Sequence, residues 1–123
     1  MKVAVIGSRS IEYDKLQMKA YELLCENIPA NCTEIVSGGA MGVDRLAEIY
    51  ARKNNIPIKV FLPDYDKYGK RAPKIRNDQI VEYADYVIAF WDTVSTGTAH
   101  TVATAVMKGV TVRVIEIKKE TEL

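Results

Sequence analysis

The sequence predicts an α/β fold: a single doubly wound parallel sheet of about five strands with helices on both faces. Three observations predict it. Short apolar runs alternate with stretches of helical periodicity along the whole chain, as crossover-connected parallel strands require. The first run, residues 2–6, is β-branched and apolar at successive positions, the pattern of a strand buried on both faces. Three runs lead into small-residue loops, Gly7-Ser8-Arg9, Ser37-Gly38-Gly39-Ala40-Met41-Gly42 and Ser95-Thr96-Gly97-Thr98. A strand that ends in such a loop and then starts a helix leaves backbone N–H groups unpaired at the positive end of the helix dipole.

Each element has its own signal. Residues 2–6 form the first strand. Leu16, Ala20, Leu23 and Leu24 fall at helical spacing over residues 14–27, and Pro29 stops that pattern. A short second strand covers 34–36. Val43, Leu46, Ala47, Ile49 and Tyr50 mark an amphipathic helix from 42 to about 54, stopped by Asn54-Asn55. The third strand, 58–62, ends at Pro63. A polar, tyrosine-rich stretch follows over 64–72. Pro73 suits the first position of a third helix, with Ile75, Ile80, Val81 and Ala84 on its buried face. The fourth strand is 86–90, the fourth helix 98–108 with Gly109 as its C-terminal cap, and the fifth strand 111–117. The charged tail, 118–123, is expected to fray. A strand order of 3-2-1-4-5 would bring the loops at Gly7 and Gly97 to one crevice, with the Gly38 loop beside it.

The 123 residues are expected to form one domain, 1–123, with a core that needs no disulfide or structural metal. Apolar residues make up 48% and charged residues 27%, and the formal net charge is +1. That balance excludes a global electrostatic pull toward nucleic acid or membrane, and only the segment 67–76 is locally basic. Cys25 and Cys32 form no metal-ligand pattern, so free, mostly buried thiols are expected. The chain enters a strand at Lys2, and no apolar run approaches membrane-spanning length. A cytoplasmic location without membrane attachment is expected.

The loops carry the chemistry. Gly7-Ser8-Arg9 offers close backbone approach, a hydroxyl and a guanidinium, although Arg9 reads equally well as a solvated side chain. In Ser37-Gly38-Gly39-Ala40-Met41-Gly42-Val43-Asp44 the paired glycines leave no Cβ to block a ligand. Asp44 reads first as a partner of the helix start and second as an acceptor for a ribose hydroxyl. Ser95-Thr96-Gly97-Thr98 is the strongest phosphate candidate, with three hydroxyls at a helix N-terminus. The preceding Trp91-Asp92 could stack on a base and bond its edge or a ribose, and Trp91 also reads as a core-edge residue. Arg76 and Asn77 lie in the first turn of the third helix and could reach the crevice. Tyr65, Lys67, Tyr68, Lys70 and Arg71 read as a lid or as a solvated charge run. His100 reads as a surface or packing residue. No Ser-His-acid set, metal cluster or P-loop motif is present.

In order and spacing these motifs resemble the SLOG superfamily of Rossmann-like proteins, whose relatives include the Smf/DprA proteins and the LOG phosphoribohydrolases. The likeness is greatest to its small stand-alone YspA-like group. It rests on Gly7-Ser8-Arg9, Ser37-Gly38-Gly39-Ala40-x-Gly42-Val43-Asp44-x-x-Ala47, Ala72-Pro73-x-x-Arg76-Asn77, Asp85-x-x-Ile88-Ala89-Phe90-Trp91, and Gly97-Thr98 with Ala105 and Gly109. The resemblance implies a nucleotide or nucleotide-derived ligand at the switch point, and by analogy pairing into a homodimer. The LOG motif Pro-Gly-Gly-x-Gly-Thr-x-x-Glu carries a catalytic glutamate. Here Gly97-Thr98 keeps the Gly-Thr pair, but Thr101 stands in the place of that glutamate. Threonine cannot supply a general base or a negative charge beside an oxocarbenium-like ribose.

The leading expectation is therefore binding of a nucleotide-type ligand. Gly38, Gly39, Gly97 and Thr98 would hold phosphate, and Arg9 and Arg76 would neutralise it. Ser8, Ser95 and Thr96 would add hydroxyl contacts, and Asp92 and Trp91 would take ribose or base. Gly7, Ser37, Asp44 and Asn77 complete the expected ligand-binding set. No cofactor is required beyond that ligand, no metal site is implied, and Mg²⁺ is left open. One alternative is a nucleoside-monophosphate N-glycosidase with a rearranged carboxylate, Asp92 or Glu48. The other is single-stranded nucleic-acid binding, with bases on Tyr65 or Tyr68 and phosphates on Lys67, Lys70 and Arg71.

Overall fold

The structure, a computed structural model, describes residues 1–11 and 14–117. The expected tail over 118–123 lies outside the described residues. Five strands, β1 (Lys2–Gly7), β2 (Glu34–Ser37), β3 (Ile58–Val60), β4 (Tyr86–Trp91) and β5 (Thr111–Glu116), form one sheet of order β3-β2-β1-β4-β5. All four pairings are parallel, with Val3 opposite both Ile35 and Tyr86, and Phe90 opposite Ile115. This is a Rossmann-like doubly wound sheet. From β1 the chain winds outward to β3, then returns to lay β4 on the other side of β1. The switch point thus lies between β1 and β4.

The helices are α1 (Asp14–Asn27), α2 (Val43–Lys53), the short α3 (Tyr65–Tyr68), α4 (Ala72–Tyr83) and α5 (Thr96–Met107), with a 3-10 turn at Gly69–Arg71. Val3, Val5, Ile88 and Phe90 pack with Ala20, Leu24, Leu46 and Ala47 of α1 and α2. Ala4, Ile6, Val87 and Ala89 pack on the opposite face with Ile80, Val81 and Ala105 of α4 and α5. The alternation of neighbouring residues between two cores is the period of a strand covered on both sides. The outer strands differ. Every residue of β3 is exposed, and in β5 only Val112 and Ile115 are half-buried while the other four residues are exposed.

Several boundaries differ from expectation for local reasons. β3 stops at Val60 rather than at 62, because Val60 pairs with Ser37, the last residue of β2, and only the Phe61 N–H reaches back beyond it, to the Ser37 carbonyl at 2.9 Å. The tyrosine-rich stretch is folded rather than open: Asp64 caps α3 by accepting from the Lys67 N–H at 3.1 Å. The 3-10 turn then runs directly into α4, which starts at Ala72, one residue before the helix-compatible Pro73. Gly42 stays outside α2 because its φ is 78°. Cys25 is exposed rather than buried, and Cys32 is half-buried. The preceding residue, Leu24, occupies the core-facing position of α1, and one step along a helix turns the next side chain away.

Candidate functional site

A cleft of about 840 Å³ lies beyond the carboxyl ends of the strands. Its size is that of a small-molecule site. The loops after β1, β2 and β4 contribute to it, as do the first turns of α4 and α5. Of the expected ligand residues, Gly7, Arg9, Gly38, Gly39, Asp44, Arg76, Asn77, Asp92, Ser95, Thr96, Gly97 and Thr98 line it together.

The start of α5 presents open backbone to the cleft. Ser95 precedes the helix but makes no side-chain cap bond. Among the described residues, the N–H groups of Thr96, Gly97 and Thr98 have no partner, and the first bonded amide is that of Ala99, to the Ser95 carbonyl at 3.3 Å. A Cβ added to Gly97 would meet nothing within 4 Å. The fold therefore has no steric need for glycine there, although glycine weakens a helix.

The Gly38 loop is tightly held. Arg76 reaches across from α4 and donates from Nη1 to the Gly38 carbonyl at 2.6 Å, while its Nε donates to Asn77 Oδ1 at 2.8 Å. Asp44 Oδ2 accepts from the Ala40 N–H at 3.0 Å. A Cβ on Gly38 would stand 2.7 Å from Arg76 Nη1 and 3.0 Å from Asp44 Oδ2, so only glycine lets both side chains close on the loop. Burial raises the Asp44 pKa, outweighing the Ala40 N–H and the Arg76 charge that favour its ionised form. Burial likewise lowers the Arg76 pKa, opposed by Asp44 and Tyr65 and reinforced by the nearby Arg9.

Asp44 therefore makes a pH-dependent contribution of definite sign. With its pKa raised in the fold, stability is full below the ordinary carboxylate value of 3.8 and is lost as pH rises through the folded-state value. Asp44→Asn is expected to remove that loss. Denaturant midpoints of both proteins between about pH 3.5 and 7 should diverge in favour of the variant. Parallel curves would show that the carboxyl titrates normally.

Other expected ligand residues hold the loops rather than face the cleft. Ser8 is buried; its hydroxyl lies 3.2 Å from Thr98 Oγ1 and accepts from the Asp92 N–H at 3.1 Å. Ser37 is also buried, and its oxygen accepts from the Gly39 N–H at 3.2 Å. Trp91 does not join the cleft wall; its indole N–H donates to the Ser95 carbonyl at 2.9 Å. Asp92 does join it, but accepts from Ser10 Oγ at 2.6 Å and from the Val94 and Ser95 N–H groups at 3.0 and 2.7 Å. Burial pushes its pKa up, yet these hydrogen bonds outweigh burial and hold it below the ordinary value. Sequence reasoning missed Ser10, Met41 and Pro63, all of which line the cleft. Their only signal was position, beside or within loops already singled out.

Residues 1–68 match the family model described as YAcAr, the YspA, cpYpsA-related SLOG family. The chain belongs to that family. No curated protein matches it. No solved structure matches it either. The family match spans Gly7-Ser8-Arg9 and the whole Gly38 loop and ends within α3, whereas Arg76 and the α5 start lie beyond it. The SLOG cleft is thus assembled from both halves of the chain. Among the described residues no His, Cys, Asp and Glu grouping could hold a metal, and no helix is long and apolar enough to cross a membrane.

Proposed function

We propose that this SLOG protein binds a nucleotide or nucleotide derivative in the cleft, with its phosphate at the start of α5 and beside Arg9. The observation that carries this reading is the α5 N-terminus: unpaired N–H groups behind a glycine with open space before it, on the wall of a cleft also lined by Arg9, Lys70 and Lys74. Such an arrangement favours anions through both the amides and the dipole. Family membership supports a nucleotide-related ligand.

Binding without cleavage is the reading the side chains favour. Thr101, in the place of the LOG glutamate, is buried and donates its hydroxyl to the Gly97 carbonyl at 3.0 Å. Asp92 is bonded through both carboxylate oxygens, and Glu48 does not line the cleft. Native mass spectrometry of freshly purified protein, followed by calorimetric titration with a panel of nucleotides, tests the proposal. A retained or titrating nucleotide recovered unchanged is the expected result. Release of free base would restore the N-glycosidase reading, and no binding across the panel would remove the proposal.

A further inference from the structure

We propose that Tyr65, with Met41 and Pro63, forms the subsite for the flat ring of the ligand, and so sets its direction in the cleft. This rests on the nucleotide reading above and adds a base site on the opposite side from Trp91.

The two sides of the cleft differ in chemistry. Toward α5 the wall presents the cation of Arg9 and donor groups of Thr96, Gly97 and His100, beside Asp92, whose carboxylate oxygens are engaged by Ser10, Val94 and Ser95. Toward the loops after β2 and β3 it presents Met41, Pro63 and Tyr65, and the segment that follows Tyr65 adds Lys70 and Lys74 to the lining. Met41 is 76% exposed and Tyr65 58% exposed. Leu62, 68% exposed, leans over the same loop, since its Cδ2 would lie 2.7 Å from a Cβ on Gly39. Large apolar side chains gathered open at the rim of a ligand cleft gain by being covered. A ligand with an anionic end and a flat heteroaromatic end matches both walls at once.

Aromatic supply narrows the choice. Among the described residues, Tyr65 is the one Tyr, Phe or Trp that lines the cleft. Trp91 stands outside it, with its indole N–H engaged by Ser95. Base stacking needs an accessible π-face, and a neighbouring thioether adapts its shape to a ring. Tyr65 and Arg76, the arginine that clamps the Gly38 loop, both line this cleft, and Tyr65 favours the charged form of that guanidinium.

The test compares ligands with and without a base. Nucleoside 5′-diphosphates and inorganic pyrophosphate are titrated into the wild type, Tyr65→Ala and Tyr65→Phe. Nucleotide affinity is expected to fall about five- to hundredfold in Tyr65→Ala, to persist in Tyr65→Phe, and pyrophosphate affinity to be equal in all three. Exposure of Tyr65 makes unfolding by this truncation unexpected, and unchanged pyrophosphate binding verifies the fold. Unchanged nucleotide affinity in Tyr65→Ala overturns the subsite and leaves the nucleotide reading standing. Failure of every nucleoside diphosphate to bind the wild type overturns both.

Discussion

Arg76→Ala is expected to weaken nucleotide binding and to loosen the loop that frames the site. The guanidinium is half-buried, donates to the Gly38 carbonyl at 2.6 Å and to Asn77 at 2.8 Å, and lines the cleft. Removing it leaves a carbonyl without its partner and Asp44 without its nearest cation. A hydrogen bond to a charged group contributes about 1.5–3 kcal/mol, so a stability loss of that order is expected in chemical denaturation. Affinity should fall by about 1–3 kcal/mol, roughly five- to 150-fold, through lost charge and a misplaced loop. Arg76→Lys should recover part of the charge but not the two-pronged bonding, because an ammonium lacks the planar fork. Calorimetry showing wild-type affinity in Arg76→Ala would count against the assignment.

Gly97 should show effects of opposite sign on stability and binding. Its backbone is not in the left-handed region, and an added Cβ meets open space. Gly97→Ala is therefore expected to stabilise the fold by about 0.5–1 kcal/mol, through a less free unfolded chain. The same methyl group would stand where the proposed phosphate approaches the α5 amides, and Gly97→Leu would fill that space further. Nucleotide affinity is expected to fall by about tenfold in the first and to vanish within a normal titration in the second. A thermal melt paired with calorimetry reads both quantities. Unaltered binding by a stable Gly97→Leu protein would move the anion site away from α5.

The contrast between Gly97 and Gly38 shows what local pattern can and cannot express. Both stand in small-residue segments whose composition suggests a ligand site, Gly38 in the loop after β2 and Gly97 in the first turn of α5. At Gly38 the glycine is required by the protein itself, since Arg76 and Asp44 close to within 3.0 Å of the missing Cβ. At Gly97 no such neighbour exists. Arg76 is 38 positions away from Gly38, so no spacing rule foretells that it spends one nitrogen on that carbonyl. Trp91 and Asp92 repeat the lesson. Their residue types suit a base and a ribose, but their hydrogen bonds go to Ser95, Val94 and Ser10. Type and position were legible, whereas the direction and prior engagement of a side chain were not.

By itself the sequence determined the α/β class, the five strands and the three loops that frame the cleft, because these follow from local periodicity and from glycine, proline and hydroxyl chemistry. It also carried the resemblance to SLOG proteins, through motifs in a set order. Tertiary structure alone decided which candidates face the cleft, which are occupied as struts, and that Tyr65 rather than Trp91 supplies its aromatic wall. The physical reason is that strand order and helix packing bring distant residues together, and each polar group then bonds whatever partner that packing puts nearest.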